Sequence, residues 1–461
     1  MKKTFVIFLA VCLVMCLLPF VGMFFFPTTR TSENKPMAPA PALVEDGKLN
    51  SEFFQDFETY FTQRMALRNP MLYADAAIQS NVFGVSSVDG VIKGTDGWLY
   101  YRSTLDDYLG NHMLSARQLY NLAHNFSLIR DYLQSQGVDF VLSIAPNKNS
   151  LYGEHMPYYY QQQVTQYQNA RRLAPYLAQQ AVPYADLFRL FEQQSQVLYL
   201  KGDSHWNNRG ACLVYNELMD SLSIPHNTYA QQEPKPFQNR NGDLNRMLYS
   251  FYGPGETDYA YDLAGNYTYT TGKTVEDGLI VTQNPKGQGT LLMFRDSFAN
   301  TLIPFFSEHF ATACYSKGEP HALERLLQTH NPDCVILEKV ERNLNNYLDT
   351  PPILSAPAVP VPARVFWSDK TAEFTMTVCQ YAPQYLEVRG TVDPDALQLT
   401  SRLLVEVEGM VYKAYHTGEN GFVIYLDKTM LTEADARIQV YVLDDDVVHR
   451  VGEKILPVPE K

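Results

Sequence analysis

The chain has 461 residues, which is too long for one ordinary domain and long enough to bury a sizeable core. Its formal net charge is -13 at pH 7, whereas a protein that binds nucleic acid unaided needs a basic surface to displace phosphate counterions. We therefore exclude nucleic acid as a main partner and expect two folded domains preceded by an additional N-terminal segment.

The N-terminus carries a long apolar run. Lys2 and Lys3 precede residues Thr4 to Phe26, which at about 1.5 Å per residue can just cross a hydrocarbon core of about 30 Å. A cleaved signal peptide is the alternative, but the run is longer than usual and does not end in a small-residue cleavage site. The sequence favours a retained transmembrane anchor over residues 1–27, with the folded domains outside the cytoplasm.

The cysteines give no sign of a metal or redox site. Cys12 and Cys16 belong to the apolar run, and the remaining four cysteines show no CxxC spacing. Neither a zinc knuckle nor a redox pair is supported. We predict no metal and no cofactor.

Residues 28–50 contain prolines and charges without an apolar period, and we interpret them as a linker. Beyond the linker, segments with helical apolar spacing alternate with short apolar runs typical of buried strands. Predicted helices cover 51–68, 115–137, 167–180, 208–222, 298–309 and 322–330, and predicted strands cover 138–145, 182–187, 289–295, 310–315 and 333–337. This alternation predicts an α/β domain over residues 51–350, with a mainly parallel sheet and helices on both faces.

Residues 224–286 interrupt the alternation with many tyrosines among Gly, Asn, Asp and Thr. We interpret this region as an insertion over one end of the sheet. Its aromatic rings either stack on sugar rings or pack against one another, and the sequence leaves both possibilities open.

A second domain is predicted at the C-terminal end. Residues 351–362 are rich in proline and form a predicted domain linker. Residues 363–461 contain short runs of β-branched and aromatic residues separated by turn signals, which predicts a small β-sandwich-like domain. Glycan binding and a spacing role are both open for this domain.

Asp203 and His205 are the first candidate catalytic residues. They lie two residues apart, so in an extended segment both side chains leave from one face. In a Ser-His-Asp site the carboxylate orients the imidazole, which then accepts the serine proton. Two alternatives remain open: the pair is half of a metal site, or Asp203 or Ser204 caps the following helix while His205 is merely exposed.

Ser297 is the candidate nucleophile. It follows the predicted strand Leu291–Phe294 and opens a predicted helix, so its hydroxyl is expected at the carboxyl end of the sheet. The first free N–H groups of the helix can bind an oxyanion there. An ordinary helix cap is the alternative for this serine too, but a strand-end serine together with a D-x-H pair favours an acyl-transfer triad.

Several short motifs carry a family resemblance. Asp203-Ser204-His205-Trp206 resembles the D-x-H-W motif of the AlgX/AlgJ-type polysaccharide O-acetyltransferases and the related DHHW family, and Arg295-Asp296-Ser297-Phe298 resembles their G-D-S-F nucleophile motif. Supporting matches are Glu33-Asn34-Lys35, the stretch from Gly94 to Tyr100, and Ala145-Pro146-Asn147-Lys148 followed by Tyr152. The resemblance covers about residues 30–345, and its chief departure is Arg295, where the family has glycine.

The resemblance implies an SGNH-hydrolase-like three-layer α/β/α domain in which Asp203 and His205 precede Ser297. It also implies acetyl transfer to a polysaccharide outside the cytoplasm, with the acetyl group supplied by a membrane-bound O-acyltransferase partner. Asn147, Lys148, Trp206 and Arg295 are the predicted substrate-binding residues. A secreted carbohydrate esterase with the same triad and a non-catalytic glycan-binding scaffold remain alternatives.

Overall fold

The computed structural model describes residues 2–29, 37–45, 47–162, 168–250, 253–318, 323–362, 364–431 and 433–459. The motif Glu33-Asn34-Lys35 lies outside these residues. The N-terminal elements are α1 (Lys2–Gly22), β1 (Val44–Glu45), β2 (Lys48–Leu49), α2 (Phe53–Arg64) and α3 (Arg68–Ile78), the last continued by a π-helix (Gln79–Phe83). The helix predicted over 51–68 therefore ends earlier, and α3, which the sequence did not predict, follows it.

Helix α1 carries a stretch, Lys3–Gly22, that is long and apolar enough to cross a membrane by length and composition. Nearly all of its described side chains are exposed. A signal sequence passes the same test. The finding thus fits an anchor and equally a signal segment.

The central part of the chain alternates helices and strands. Its strands are β3 (Val91–Lys93), β4 (Leu99–Tyr101), β5 (Asp139–Ala145), β6 (Tyr184–Ala185), β7 (Lys235–Asn239), β8 (Glu256–Ala260), β9 (Thr268–Thr271), β10 (Leu279–Gln283), β11 (Thr290–Phe294), β12 (Thr312–Ser316) and β13 (Cys334–Val340). Its α-helices are α4 (Leu105–Leu109), α5 (Ala116–Ser135), α6 (Lys148–Leu151), α7 (Asn169–Gln179), α8 (Leu187–Glu192), α9 (Asn208–Ser221), α10 (Asp243–Tyr249), α11 (Ile303–His309), α12 (Leu323–His330) and α13 (Asn346–Asp349).

Seven of these strands form one sheet in the order β6-β5-β13-β11-β12-β10-β9. In this order, adjacent strands from β6 to β12 pair in parallel. Strand β10 pairs antiparallel with both of its neighbours, β12 and β9. Successive side chains of β11 alternate between two cores: Leu291 and Met293 enter one, and Leu292 and Phe294 enter the other. The predicted α/β fold with helices on both faces of a mainly parallel sheet is confirmed.

The parallel register brings the carboxyl ends of three strands, β5, β11 and β13, to the same end of the sheet. Phe294 of β11 is opposite Leu337 of β13, and Val340 of β13 is opposite Ala145 of β5. The residues that follow these three strands therefore emerge close together. The candidate site lies at this carboxyl end of the sheet.

The Tyr-rich region is more than a loop over the sheet. Its last part supplies β9 and β10 to the main sheet, and its middle forms the β7–β8 hairpin and α10. The rings of Tyr229 and Tyr261 both lie about edge-on to Phe305, at 5.4 and 5.5 Å between centroids. These two tyrosines thus pack within the protein.

The C-terminal part contains two sheets. Their strands are β14 (Ala358–Val359), β15 (Val365–Trp367), β16 (Ala372–Val378), β17 (Tyr385–Val392), β18 (Arg402–Val407), β19 (Met410–Lys413), β20 (Tyr415–Thr417), β21 (Gly421–Asp427), β22 (Asp435–Asp444) and β23 (Val447–Pro457). One sheet has the order β14-β19-β18-β22-β23-β15 and the other β16-β17-β21-β20. Inward side chains of both sheets share one apolar core, as in a sandwich.

The Pro-rich segment between the two parts is packed. Ile353 and Leu354 are buried in an apolar core together with Tyr385 and Tyr415 of the C-terminal sheets. Strand β14 also pairs with β19, although it falls inside the predicted linker 351–362. The segment predicted as a linker from its proline content thus packs against the C-terminal sheets.

Candidate active site

Three side chains predicted from separate motifs meet at the carboxyl edge of the sheet. Ser297 Oγ lies 2.8 Å from His205 Nε2, and His205 Nδ1 lies 2.6 Å from Asp203 Oδ1. Both separations are hydrogen-bond distances. The arrangement has the connectivity of a nucleophile, a base and a carboxylate that orients the base.

The turn after β11 that carries Ser297, called the nucleophile corner below, is held by hydrogen bonds to the neighbouring strand β13 and within the turn. The backbone N–H of Asp296 donates to Glu338 Oε2 at 2.9 Å, and the two Asp296 oxygens accept from the N–H groups of Phe298 and Val340. Ser297 precedes a 3-10 helix, Phe298–Thr301, instead of the continuous helix predicted from residue 298. In the described part of the chain, the Ser297 N–H donates to no other group, so it remains available to an oxyanion.

The loop that carries Asp203 and His205 lies between α8 and α9. Tyr199 and Trp206 form a β-bridge across its base, and Asn207 caps α9 by accepting a hydrogen bond from Gly210 N at 3.0 Å. Asp203 Oδ1 also accepts from the backbone N–H of His205 at 2.9 Å. The local turn therefore fixes the carboxylate against its own histidine.

A buried lysine supports the backbone of this loop. Lys148 Nζ donates to the carbonyl oxygens of Leu200, Lys201 and Asp203 at 3.0, 2.9 and 2.6 Å. Burial lowers the pKa of Lys148 to about 8, against the opposing effect of Asp203 and other nearby carboxylates. The ammonium group thus remains mostly charged at neutral pH and satisfies three carbonyls at once.

The Tyr-rich region supplies a second carboxylate, Asp243, to the same loop. Asp243 Oδ1 accepts from Ser204 N at 2.7 Å, Asp243 Oδ2 accepts from Ser204 Oγ, and Asp243 N donates to Asp203 Oδ2 at 3.0 Å. Asp243 Oδ2 also lies 3.7 Å from His205 Nδ1. A Cβ on Gly202 would fall 1.9 Å from Asn245 Nδ2, so only glycine permits this close approach.

The charges around the triad shift its pKa values in opposite directions. Burial raises the pKa of Asp203, but His205 and the N–H donors outweigh burial and bring it to about 2. Burial lowers the pKa of His205, but Asp203, Asp243 and Asp296 outweigh it, so the net shift is upward. Burial and Asp203 raise the pKa of Asp243. At neutral pH Asp203 is therefore ionised beside an imidazole that is a stronger base than usual.

A metal ion is the alternative that the sequence left open. Ligand atoms of Asp203, His205 and Asp243 do lie within 4.8 Å of one another. However, all four carboxylate oxygens already accept hydrogen bonds from backbone N–H groups, Ser204 or His205. A cation would have to displace these donors. The geometry therefore favours a hydrogen-bonded array of Asp203, His205 and Ser297 over a metal site.

A cavity of about 520 Å³ opens over the triad. The side chains that line it are those of Leu72, Asp75, Ser87, Val88, Tyr101, Ser204, His205, Asp243, Met247, Leu248, Ser250, Ser297 and Arg342. The Arg342 guanidinium lies 5.4 Å from the Tyr101 ring centroid and 5.9 Å from that of Phe298. The lining of the cavity thus includes one guanidinium group, that of Arg342, and several aliphatic side chains.

None of the four predicted substrate-binding residues lines this cavity; all are at most 4% exposed. Asn147 donates to Asp107 Oδ2 at 3.0 Å, and Lys148 supports the loop as described above. Trp206 packs its ring against Phe298 and donates to Thr301 Oγ1 at 2.8 Å. Each of these side chains holds backbone or neighbouring side chains, and its role in substrate binding stays a prediction that these contacts do not support.

Arg295 also points away from the cavity. Its guanidinium donates to Asn300 Oδ1 at 2.6 Å and to the carbonyl oxygens of Val275 and Asp277 at 3.3 Å. It therefore ties the nucleophile corner to the loop before β10. The arginine in place of the family's glycine leaves the nucleophile and base geometry intact.

Asp243 and Arg342 are two charged cavity residues that the sequence did not reveal. Arg342 follows β13, so its position after a buried strand was a usable signal. Asp243 lies in the Tyr-rich region and carries no motif of its own. Only the folded chain brings it to the loop of Asp203.

Residues 91–287 match the family model described as an SGNH hydrolase-like domain, acetyltransferase AlgX. The matched stretch includes Asp203 and His205 and ends before Ser297. The chain is 29% identical over 224 residues to a protein named probable alginate O-acetylase AlgJ from Pseudomonas syringae pv. tomato, covering 44% of this chain and 53% of that protein. It is 27% identical over 217 residues to a protein of the same name from Pseudomonas fluorescens, covering 43% and 51%.

The chain thus spans about half the length of the curated relatives it matches. Among solved structures, Bacillus cereus PatB1 is similar at 18% identity and a TM-score of 0.43, over 55% of this chain and 96% of that one.

Proposed function

Because this chain carries an SGNH hydrolase-like domain of the AlgX/AlgJ type, we propose that it is an O-acetyltransferase that acts on a polysaccharide outside the cytoplasm. The observation that carries the proposal is the continuous hydrogen-bonded array from Asp203 through His205 to Ser297. The names of the two Pseudomonas relatives support a polysaccharide as the acceptor.

In the proposed reaction, Ser297 Oγ attacks the carbonyl carbon of the donor's acetyl group while its proton passes to His205 Nε2. The bond between the acetyl group and the donor's leaving group breaks, the leaving group takes the proton from His205, and acetyl-Ser297 remains. An acceptor hydroxyl then gives its proton to His205 and attacks the acetyl carbon. Ser297 departs from the acetyl group and recovers that proton.

The side chains around the triad have separate roles in this scheme. Asp203 keeps His205 oriented and stabilises the imidazolium formed in each half-reaction. The Ser297 N–H is the proposed oxyanion donor. Arg342, which lines the cavity, is the proposed cation for an anionic part of donor or acceptor.

The proposal includes the membrane. Helix α1 would anchor the enzyme with its catalytic domain outside the cytoplasm, and a membrane-bound O-acyltransferase partner would deliver the acetyl group. A cleaved signal segment would leave the chemistry unchanged and remove the anchor.

Hydrolysis of an aryl acetate by the purified protein tests the triad. Ser297→Ala should lower kcat by at least about 10³-fold, because no nucleophile remains. The exposed Ser195→Ala is the matched control and should retain wild-type activity. Equal rates for Ser297→Ala and wild type would overturn the catalytic proposal and favour a glycan-binding scaffold.

The acceptor is tested separately from the triad. Release of acetate and formation of acetylated oligosaccharide are measured with and without an added oligosaccharide. An acetyltransferase should divert acetyl groups from water to the oligosaccharide. An esterase would release the same acetate under both conditions and form no acetylated product.

A further inference from the structure

Helix α3 and its π-helical continuation carry an apolar strip that faces solvent. The strip consists of Met71, Ala74 and Ile78, whose spacings of three and four residues place them on one face of α3, together with Leu67 just before the helix and Val82 in its π-helical continuation. All five side chains are exposed, and Val82 reaches 70%. An exposed apolar face of this kind usually marks an interaction surface.

Another face of the same helix packs against the protein. Ala76 is fully buried in a small core with Leu244 and Leu248 of α10, and Ser80 Oγ is 2.8 Å from the hydroxyl of Tyr249. Leu72 and Asp75, on another face, line the cavity over the triad. Helix α3 therefore forms a wall between the cavity and the apolar strip.

The strip begins at the exit of α1. Ala66 N donates to Pro19 O at 3.2 Å, and the rings of Phe20 and Phe61 are 5.5 Å apart. Leu67, the first residue of the strip, lines an apolar crevice of about 520 Å³ against α1. The strip is thus continuous with the surface that α1 would present to lipid.

Charge on this segment also fits a lipid surface. From Asn69 to Val88 the sequence contains a single charged residue, Asp75, and its side chain lines the cavity. An interfacial helix buries its apolar face at the boundary between headgroups and acyl chains. The strip has no charged residue that would oppose such burial.

We propose that the apolar strip lies on the outer surface of the lipid bilayer, so that the cavity over Ser297 opens beside the membrane. The inference rests on the proposed anchor role of α1 and adds an orientation to it. A donor delivered at the membrane surface would then reach Ser297 without leaving that surface. The bilayer itself, with no second protein, is the proposed occupant of the strip.

Fluorescence quenching in lipid-only nanodiscs tests this orientation on the full chain. In a Cys12→Ala, Cys16→Ala background, a fluorophore is attached to Val82→Cys, at the far end of the strip, and quenched by brominated lipids. Val14→Cys in α1 reports on the anchor, and the exposed Met410→Cys in β19 is the matched control. We expect about twofold or greater quenching at positions 14 and 82 and none at 410, because only membrane-embedded labels meet brominated chains.

Each other pattern overturns the proposal at a defined step. Quenching at position 14 without quenching at 82 would retain the anchor and exclude the bilayer as the occupant of the strip. No quenching at position 14 would exclude the anchor and the docking together. Quenching at 410 as well would show that contact with lipid is not specific to the strip. The aryl acetate assay reports on the chemistry independently of all three results.

Discussion

The two halves of the candidate site are held in different ways. Ser297 follows a central strand, and its corner is fixed by hydrogen bonds from neighbouring strand ends such as Val340 N to Asp296 Oδ2 at 2.7 Å. The loop of Asp203 and His205 is instead held by side chains from distant segments, above all Lys148 and Asp243. The Ser297 corner thus combines an adjacent strand with the carboxylates of Asp296 and Glu338, whereas the loop of Asp203 and His205 depends on side chains from distant segments.

This difference indicates where the site is vulnerable. At the Ser297 corner, strand pairing and apolar packing add many individually small contacts to the carboxylate hydrogen bonds of Asp296 and Glu338, so its position depends less on any single contact. A loop held by three or four charged or polar groups loses a large part of its support with each one. Substitutions on the base side should therefore cost more activity than those beside the nucleophile.

Asp203→Asn should have the largest effect in this comparison. The amide no longer stabilises the imidazolium and favours the wrong tautomer of His205, so kcat for aryl acetate hydrolysis should fall by about 10³ to 10⁴-fold. The exposed Asp446→Asn in the C-terminal part is the control and should behave as wild type. A fall of less than about tenfold would show that Asp203 does not orient the base.

Lys148→Met should rank second. Three buried carbonyl groups lose their donor, so the free energy of unfolding should fall by about 3 kcal/mol. Activity at a temperature where the variant remains folded should also fall, because the loop of Asp203 loses its anchor. Chemical denaturation and kcat are both measured, and unchanged kcat in the folded variant would limit Lys148 to a stabilising role.

Asp243→Asn should produce a smaller loss with a distinctive pH signature. His205 must be neutral to accept the serine proton, so kcat/KM falls as pH drops below its pKa, which the nearby carboxylates raise. Removing the Asp243 charge, 3.7 Å from Nδ1, should move this acid limb to lower pH by about one unit, with about a tenfold lower plateau.

Ser204→Ala is the matched control for the charge of Asp243. It removes the hydroxyl donor to Asp243 Oδ2 and keeps the carboxylate, so the acid limb should stay close to its wild-type position. Asp203, Asp296, Lys148, Glu256 and Arg342 are unchanged in both variants. An equal shift in the two variants would mean that displacement of the loop, and not charge, sets the pKa of His205.

Arg295→Met should have the smallest effect on catalysis. Its guanidinium contacts Asn300 and the loop before β10 and does not reach the cavity, so kcat should fall by no more than about fivefold. The free energy of unfolding should fall by about 1–3 kcal/mol because buried hydrogen bonds are lost. A loss of activity as large as that of Asp203→Asn would make this arginine part of the reaction.

Local patterns in the sequence were sufficient to predict the α/β fold and to select Asp203, His205 and Ser297 as candidates that lie within hydrogen-bond distance of one another. Helical spacing and short apolar runs report on burial within one segment, and a D-x-H pair or a strand-end serine is visible within a few residues. The same local view could not tell that Lys148, Trp206, Asn147 and Arg295 are buried away from the cavity. A polar or aromatic residue near a motif has the same sequence signature whether it contacts substrate or supports the backbone.

What the sequence determined by itself was therefore the layered fold and the three residues that are proposed to react. Only the tertiary structure decided that Asp243 joins Asp203 at His205, that Arg342 and Ser297 line one cavity, and that α3 carries both cavity-lining residues and an apolar strip. These features depend on contacts between segments far apart in the chain. The spacing of residues within one segment does not reveal these features. The burial and the electrostatic surroundings of each residue depend on the distant segment that packs against it.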